Sequence, residues 1–362
     1  MPTNPTGEEW RTPVAISSTS ATERAGFRKC RRQWFLTVAH RLDRQEPNIH
    51  FFLGTIYHSG LEAYYRAQKI ADLTPEDRDN LALDAYQCAF DAYMSTIETQ
   101  LGSLFAYGKQ MFRDAGELGM EMLQNYLEHE RTDPLLDEVI AVEFRVNVDI
   151  VDPLNGIGVG ILSVQADVVG MKDGELCVAD HKTASRTMPS AHLDLDDQLT
   201  AEVFAWWQAT GNFPEKAIYN VSMKRAPKPP ALLKSGKLSK AKGMVTTAAM
   251  YRAEIALRGL DIADYVDFIA YLVQLEESGE DRLFRREAVF RTPGQMAAFE
   301  RDLYWEFTDM QAVGADPSRA YPNPTSDNCS RCPVRAICTT IQDDGDVAAI
   351  IQAGYVIADP RR

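Results

Sequence analysis

The chain has 362 residues, 45% of them hydrophobic and 25% charged, enough to bury a core without disulfides and too apolar for a disordered protein. A formal net charge of −14 excludes a protein that coats nucleic acid with its whole surface, so any phosphate contact must be local. No run approaches the roughly 20 apolar residues of a membrane-spanning helix, and the polar residues 1–20 lack a signal-peptide core, so a cytoplasmic protein with a flexible N-terminus and no membrane contact is expected.

A helix-compatible pattern covers 21–36 and carries a basic stretch, Arg28, Lys29, Arg31 and Arg32, with Arg41 and Arg44 further on. A second helix over 52–68 sets His58 and Glu62 one turn apart, and more helix is expected from about 75 to 129. The period then changes. Val142, Phe144, Val146, Val148 and Ile150 alternate with Glu143, Arg145, Asn147 and Asp149, a strand with one wet face. Two β-rich runs, 161–171 and 175–181, are joined by Asp173-Gly174, a pair suited to the positive φ angles of a two-residue hairpin turn.

Beyond the hairpin come a helix over 196–209 and a strand over 217–222. The segment 224–242 has Lys and Arg but no acid, and its Pro227, Pro229, Pro230 and Gly236 predict a mobile loop. Helices over 246–274, a strand over 284–290 and a helix over 293–310 follow. No linker divides this order. The reading is an α/β fold, a central mixed sheet flanked by helices, in one domain over 21–340: a helical part (21–135), a sheet core (136–312) and a cysteine-bearing segment (320–340), followed by a tail (341–362).

Counting back from the hairpin turn pairs Lys172 with Glu175, Val169 with Val178 and Asp167 with Asp180. Directly opposed carboxylates repel unless a cation lies between them. The period of two puts Lys182 on the same face as Asp180 and His181 on the other. Apolar neighbours on both faces, Val169, Met171, Leu176 and Val178 against Val168, Cys177 and Ala179, predict a covered central strand. Hard carboxylate oxygens suit Mg²⁺ or Mn²⁺, which acidifies water and neutralises charge on a phosphodiester, and a nearby lysine can ready the water or stabilise the transition state. A salt-bridged hairpin end is the plainer alternative.

Six cysteines in such a chain are more readily thiols or metal ligands than disulfides. Cys329-x2-Cys332-x5-Cys338 needs a fourth ligand. Cys177 reads as core and Cys88 as part of an amphipathic helix, which leaves Cys30 as the better candidate.

Asp167 followed by Asp180-His181-Lys182 resembles the motif of the PD-(D/E)XK nuclease superfamily. Gly54-Thr55-Ile56-Tyr57-His58 resembles the Gly-x-x-x-His signature of its RecB-like branch, which implies His58 as a metal ligand beside Asp167 and Asp180, and Glu143 as a further acid. Gln198 matches the start of the branch's Gln-x-x-x-Tyr motif, but Glu202 stands in place of Tyr, and the usual Gly before the motif Asp is absent from Ser163-Val164-Gln165-Ala166. These departures touch how substrate is held.

Cys30-Arg31-Arg32-Gln33-Trp34 resembles the start of the iron-sulfur subgroup, the AddB-type and Cas-four nucleases, found in CRISPR systems and bacteriophages. That resemblance implies a 4Fe–4S cluster on Cys30, Cys329, Cys332 and Cys338; zinc on the same thiolates remains the alternative. The expectation is a Mg²⁺- or Mn²⁺-dependent DNA exonuclease, with single-strand endonuclease activity besides, acting in recombination, repair or replication. Asp167, Asp180, Lys182, Glu143 and Gln198 would do the chemistry. Arg31, Arg32, Lys224, Arg225, Lys228, Lys234 and Lys237 are the candidate DNA contacts, for single strands or free ends. No phosphate-binding P-loop occurs, so any unwinding belongs to a helicase partner. The contrasting readings are a non-catalytic nucleic-acid-binding protein and a nuclease of CRISPR spacer acquisition.

Overall fold

The computed structural model describes residues 9–101, 106–186, 190–277 and 283–358. The flexible terminus expected over 1–20 lies outside it for residues 1–8; residues 9–20 instead carry a short 3-10 turn (Glu9–Arg11) and β1 (Ser18–Thr19), which joins the sheet.

Helix α1 (Ala21–Lys29) starts on a capping box in which Ser20 and Glu23 satisfy each other's backbone N–H. The single helix expected over 21–36 breaks at Cys30, whose extended backbone (φ −163°) separates α1 from α2 (Arg31–Trp34) and a π-helical turn, Phe35–Ala39. Periodicity does not register a one-residue break. After β2 (Leu42–Arg44) come three long helices, α3 (Ile49–Gln68), α4 (Pro75–Leu101) and α5 (Ala106–Thr132).

The sheet follows as β3 (Glu138–Val151), β4 (Gly158–Lys172) and β5 (Glu175–Ala184), then α6 (Asp197–Thr210) and β6 (Lys216–Met223). Two helices, α7 (Ala248–Leu257) and α8 (Val266–Glu277), precede β7 (Phe284–Phe290) and the long α9 (Pro293–Ala315). Strand order is β1-β4-β5-β6-β7 with β3 on the other edge of β4; β1–β4 and β5–β6 are parallel and the remaining pairs antiparallel. This is the mixed, helix-flanked sheet the sequence predicts.

One face of the sheet packs on α3, α4 and α5 through Val168, Cys177, Ala179 and Ile218 against Phe52, Ile56, Tyr65 and Leu123. The other packs on α6 and α9 through Val169, Val178, Tyr219 and Val221 against Leu199, Val203, Phe299 and Phe307. Trp206 is core here, edge-on to Phe144. No helix among the described residues is long and apolar enough to cross a membrane.

Two expectations for irregular chain change. The 224–242 segment is anchored: Lys228 N–H bonds the Val245 carbonyl, Ser239 N–H that of Ala231, and Leu238 is buried against α7 and α8. Residues 342–358 of the expected tail are folded as well, because their apolar side chains have a partner, and residues 359–362 lie outside the described residues. Helices α10 (Ser326–Ser330), α11 (Arg335–Gln342) and α12 (Val347–Gly354) lead to β8 (Tyr355–Ile357), which pairs antiparallel with β2. Leu36, Leu42, Val334, Ile337 and Ile351 form the core where the chain's two end regions meet.

Candidate active site

The hairpin has the register counted from its turn, with Asp173 and Gly174 at positive φ and pairs running from Lys172↔Glu175 to Val168↔Ala179. Pairing stops there. Asp167 and Asp180 are not ladder partners; Asp167 Oδ2 instead accepts a hydrogen bond from the backbone N–H of His181 at 2.8 Å.

The reason lies in a change of face. Leu162, Val164 and Ala166 point to the α6–α9 side, whereas Val168 points to the α3–α5 side, so the period of two slips at Asp167. β3 does the same: Phe144 and Val146 lie on the α6–α9 side and Val142 on the other, with Glu143 between them at φ +51°. A carboxylate-bearing residue in the left-handed region is strained, a condition held by its surroundings. The β3–β4 pairing likewise passes from Val142↔Val168 to Phe144↔Ala166 without a Glu143 pair. Glu143, Asp167 and Asp180 therefore occupy one row across three strands, where the ladder is interrupted on both sides of β4. Asp167 and Asp180 do not share a face as expected; Asp167 lies at the switch point.

Both helical layers reach this fork. From α3, His58 Nδ1 lies 3.6 Å from Asp167 Oδ2. From α6, the Gln198 amide bridges the other acids: its Nε2 donates to Asp180 Oδ1 (2.6 Å) and Glu202 Oε1 (3.1 Å), and its Oε1 accepts from Lys182 Nζ (3.0 Å). Lys182 Nζ also donates to Asp180 Oδ1 at 2.8 Å and sits 5.8 Å from the Tyr219 ring centre. Lys182 and Asp180 thus share the α6 face, as expected. His181 points the other way, stacked on Tyr65 and accepting from Asn220 Nδ2 at 2.8 Å.

Burial dominates the electrostatics. It lifts Asp180 to about 7, opposed by Lys182 and helped by Asp167. Glu143 is pushed to about 7 by burial and by Asp167 and Glu62. Glu202 is raised far above the carboxylate range by burial and by Asp180 and Asp167. Burial disfavours the Lys182 ammonium, but Asp180 and Glu202 outweigh it and keep Lys182 charged. Burial holds His181 neutral, at about 3.

Among the described residues, no three His, Cys, Asp or Glu side chains form a ready metal-holding group. The donor set nonetheless fits a small hard cation. Asp167 helps raise the pKa of both Glu143 and Asp180, and Asp180 Oδ2 is buried without a hydrogen-bond partner, a charge arrangement that an ion would relieve. Glu62 and Glu202 escaped sequence reasoning as site residues. The spacing of Gln198 and Glu202, one turn apart on a helix, was the available signal for the second.

The proposed DNA contacts divide. Arg31 is bound to Asp309 at 3.0 Å and lies over the Phe27 and Tyr321 rings, while Arg32 Nε donates to the Ala320 carbonyl; both tie α2 to the C-terminal segment. Lys237 is paired with Asp264 at 3.1 Å. Lys224, Arg225, Lys228 and Lys234 form no ion pair among the described residues, and Lys224 N–H bonds the Ala184 carbonyl, two residues past Lys182.

Cys177 is fully buried core, as expected, whereas Cys88, read as a position on an amphipathic helix where buried cysteine is common, is exposed on α4. Cys30, Cys329 and Cys338 each lie close enough to Cys332 to raise its thiol pKa, with burial the larger cause. Cys30 Sγ accepts from the Asn323 N–H at 3.4 Å.

The model of the PD-(D/E)XK nuclease superfamily matches residues 18–339, from β1 through the last cysteine. No curated protein matches the chain. With a match over most of its length, and a mixed sheet that opens on an Asp and an Asp-x-Lys, the chain belongs to the PD-(D/E)XK nuclease superfamily.

Proposed function

We propose that this nuclease is a DNA exonuclease that also cuts single strands internally, with its cutting centre at the sheet fork. The observation that carries this reading is the row Glu143, Asp167 and Asp180 on three adjacent strands, with a cationic Lys182 beside it. Asp167, Asp180 and His58, with Glu143, would hold Mg²⁺ or Mn²⁺. Bound there, the ion supplies a lowered water pKa and neutralisation of charge on the phosphoryl group.

The chain's own groups do the rest. Lys182, kept charged by its acidic neighbours, is a hydrogen-bond donor to phosphoryl oxygen as negative charge builds there, and its raised pKa supports that role over a role as base. Gln198 fixes the direction of the ammonium through its Oε1. Water oxygen forms the new bond to phosphorus as the bond to the 3′ oxygen breaks, leaving 5′-phosphate and 3′-hydroxyl ends. Lys224, Arg225, Lys228 and Lys234 guide the backbone toward an otherwise acidic body, and strand separation is left to a helicase partner in recombination, repair or replication.

The four cysteines are read as a clasp holding a 4Fe–4S cluster, with zinc as the alternative. The support is the nearness of Cys30, Cys329 and Cys338 to Cys332, whose thiol pKa they raise after burial, together with the spacing of the four cysteines. Visible absorption lost in C329A, with iron rather than zinc in the wild-type protein, supports the cluster; a colourless zinc protein refutes it.

Asp180→Ala and Lys182→Ala are each expected to abolish cleavage of labelled DNA in Mg²⁺ or Mn²⁺ while leaving the fold intact. Undiminished digestion by both variants refutes the assignment. A wild-type protein that binds DNA and cuts nothing under either metal points to a binding module instead.

A further inference from the structure

Glu202 is a fully buried acid at the fork that the reading above leaves without a task. It is 2% exposed, sits one helical turn beyond Gln198, and has an Oε2 that is buried without a partner. A carboxyl group in that position costs stability, since burial and the neighbouring acids oppose its charge and its second oxygen has no partner. Its first oxygen, however, receives Gln198 Nε2 at 3.1 Å.

The Gln198 amide explains the arrangement. Its two ends have nearly the same shape and opposite polarity. Turned one way, the NH₂ meets Asp180 and Glu202, and the oxygen meets Lys182; turned the other way, oxygen faces two acids and NH₂ faces an ammonium. Asp180 alone is an unsteady guide, because its carboxylate is also the group that a cation and substrate would engage. Glu202, deeper on α6, does not take part in that exchange.

We infer that Glu202 is a positioning residue: by accepting from Gln198 Nε2 it locks the amide so that Gln198 Oε1 stays on Lys182 Nζ when Asp180 is engaged elsewhere. This rests on the nuclease site proposed above. Glu202 acts through Gln198 and touches no reacting atom.

The roles of positioning and packing make opposite demands. A methionine has nearly the same shape and buries without a charge, so E202M is expected to melt at or above the wild-type temperature. On an end-labelled oligonucleotide in saturating Mg²⁺, its kcat is expected to fall about tenfold or more with KM within about twofold. E202Q keeps an acceptor oxygen and is expected to recover most of that loss, to within about threefold of wild type. In a Q198A background, E202M is expected to add nothing, because the residue it works through is gone.

The inference is overturned if E202M cleaves at the wild-type rate, if E202Q falls as far as E202M, or if the losses in Q198A and E202M simply add. Should E202M not fold, E202D decides: it keeps the carboxyl group but withdraws the acceptor by one methylene, and a kcat equal to wild type then overturns the inference. K182A serves as the separate control. Full cleavage by K182A removes the nuclease site itself, whereas an inactive K182A alongside a fully active E202M removes only the role of Glu202.

Discussion

At the fork, three acids on neighbouring strands meet because the ladder on both sides of β4 is interrupted at one row; at the clasp, Cys30 meets residues 293 positions or more away because the chain's ends fold together. The fork is embedded in a sheet covered on both faces, so its neighbours hold it whether or not its charges are present. The clasp rests on a smaller apolar core, Leu36, Val334, Ile337 and Ile351, and on short helices. The cysteine segment therefore has less packing to hold it in place, whereas the left-handed backbone at Glu143 is strain that the rest of the sheet supports.

The sharpest way to break that contrast is Asp167→Asn. Removing one charge from the row relieves repulsion on Glu143 and Asp180, so the melting temperature is expected to stay level or rise. Cleavage is expected to fall by about 10³-fold or more, as for loss of a group acting on transition-state charge. A variant that unfolds while its folded fraction still cuts would reverse the roles of fork and sheet.

Cys332→Ser should do the opposite. The chain ends lose their restraint, so a lower melting temperature and rapid proteolysis near residues 324–345 are expected, with a ΔΔG of about 2 kcal/mol or more. The rate per folded molecule, measured against the fraction that resists protease, is expected to remain within about threefold of wild type. Equal loss of rate and stability would show one cooperative unit rather than two.

How legible these regions were follows from their construction. Asp173-Gly174 set a register that held for five pairs, because a tight turn leaves the ladder no freedom. The switch of faces at Glu143 and Asp167 left no trace, since Val142 and Phe144, or Ala166 and Val168, are apolar whichever side they face when helices cover both. Glu202 was visible only as a missing Tyr; its meaning appears when α6 is laid against β5 and the Gln198 amide falls between Glu202 and Asp180. The folding of residues 342–358 was hidden because β8 is three residues long and finds its partner, β2, near the other end of the sequence.

Glu143→Gln sharpens the fork further. The left-handed backbone at this residue and its neighbour Asp167 mark it as part of the row rather than as a wet-face residue. Its replacement is expected to raise the Mg²⁺ concentration for half-maximal cleavage by about tenfold while leaving the rate at saturating metal within about threefold, the pattern of a lost ligand. An unchanged metal requirement would remove Glu143 from the cation's donors.

The smallest effect tests the wall behind the fork. His129, on α5, stacks on Phe284 and is held at about 4, by burial first and then by Arg286, with Asp133 opposing. The folded pKa lies below the unfolded value of about 6.5, so stability is unaffected above that pH. Between about 6.5 and 4 the unfolded chain takes up a proton that the folded one refuses, and stability falls, by up to about 1.4 kcal/mol for each pH unit; below about 4 the slope ends. His129→Gln is therefore expected to flatten the fall in melting temperature between pH 6.5 and 4.5 relative to wild type. Matching acid curves for the two proteins would mean that the sensitivity arises elsewhere than at α5.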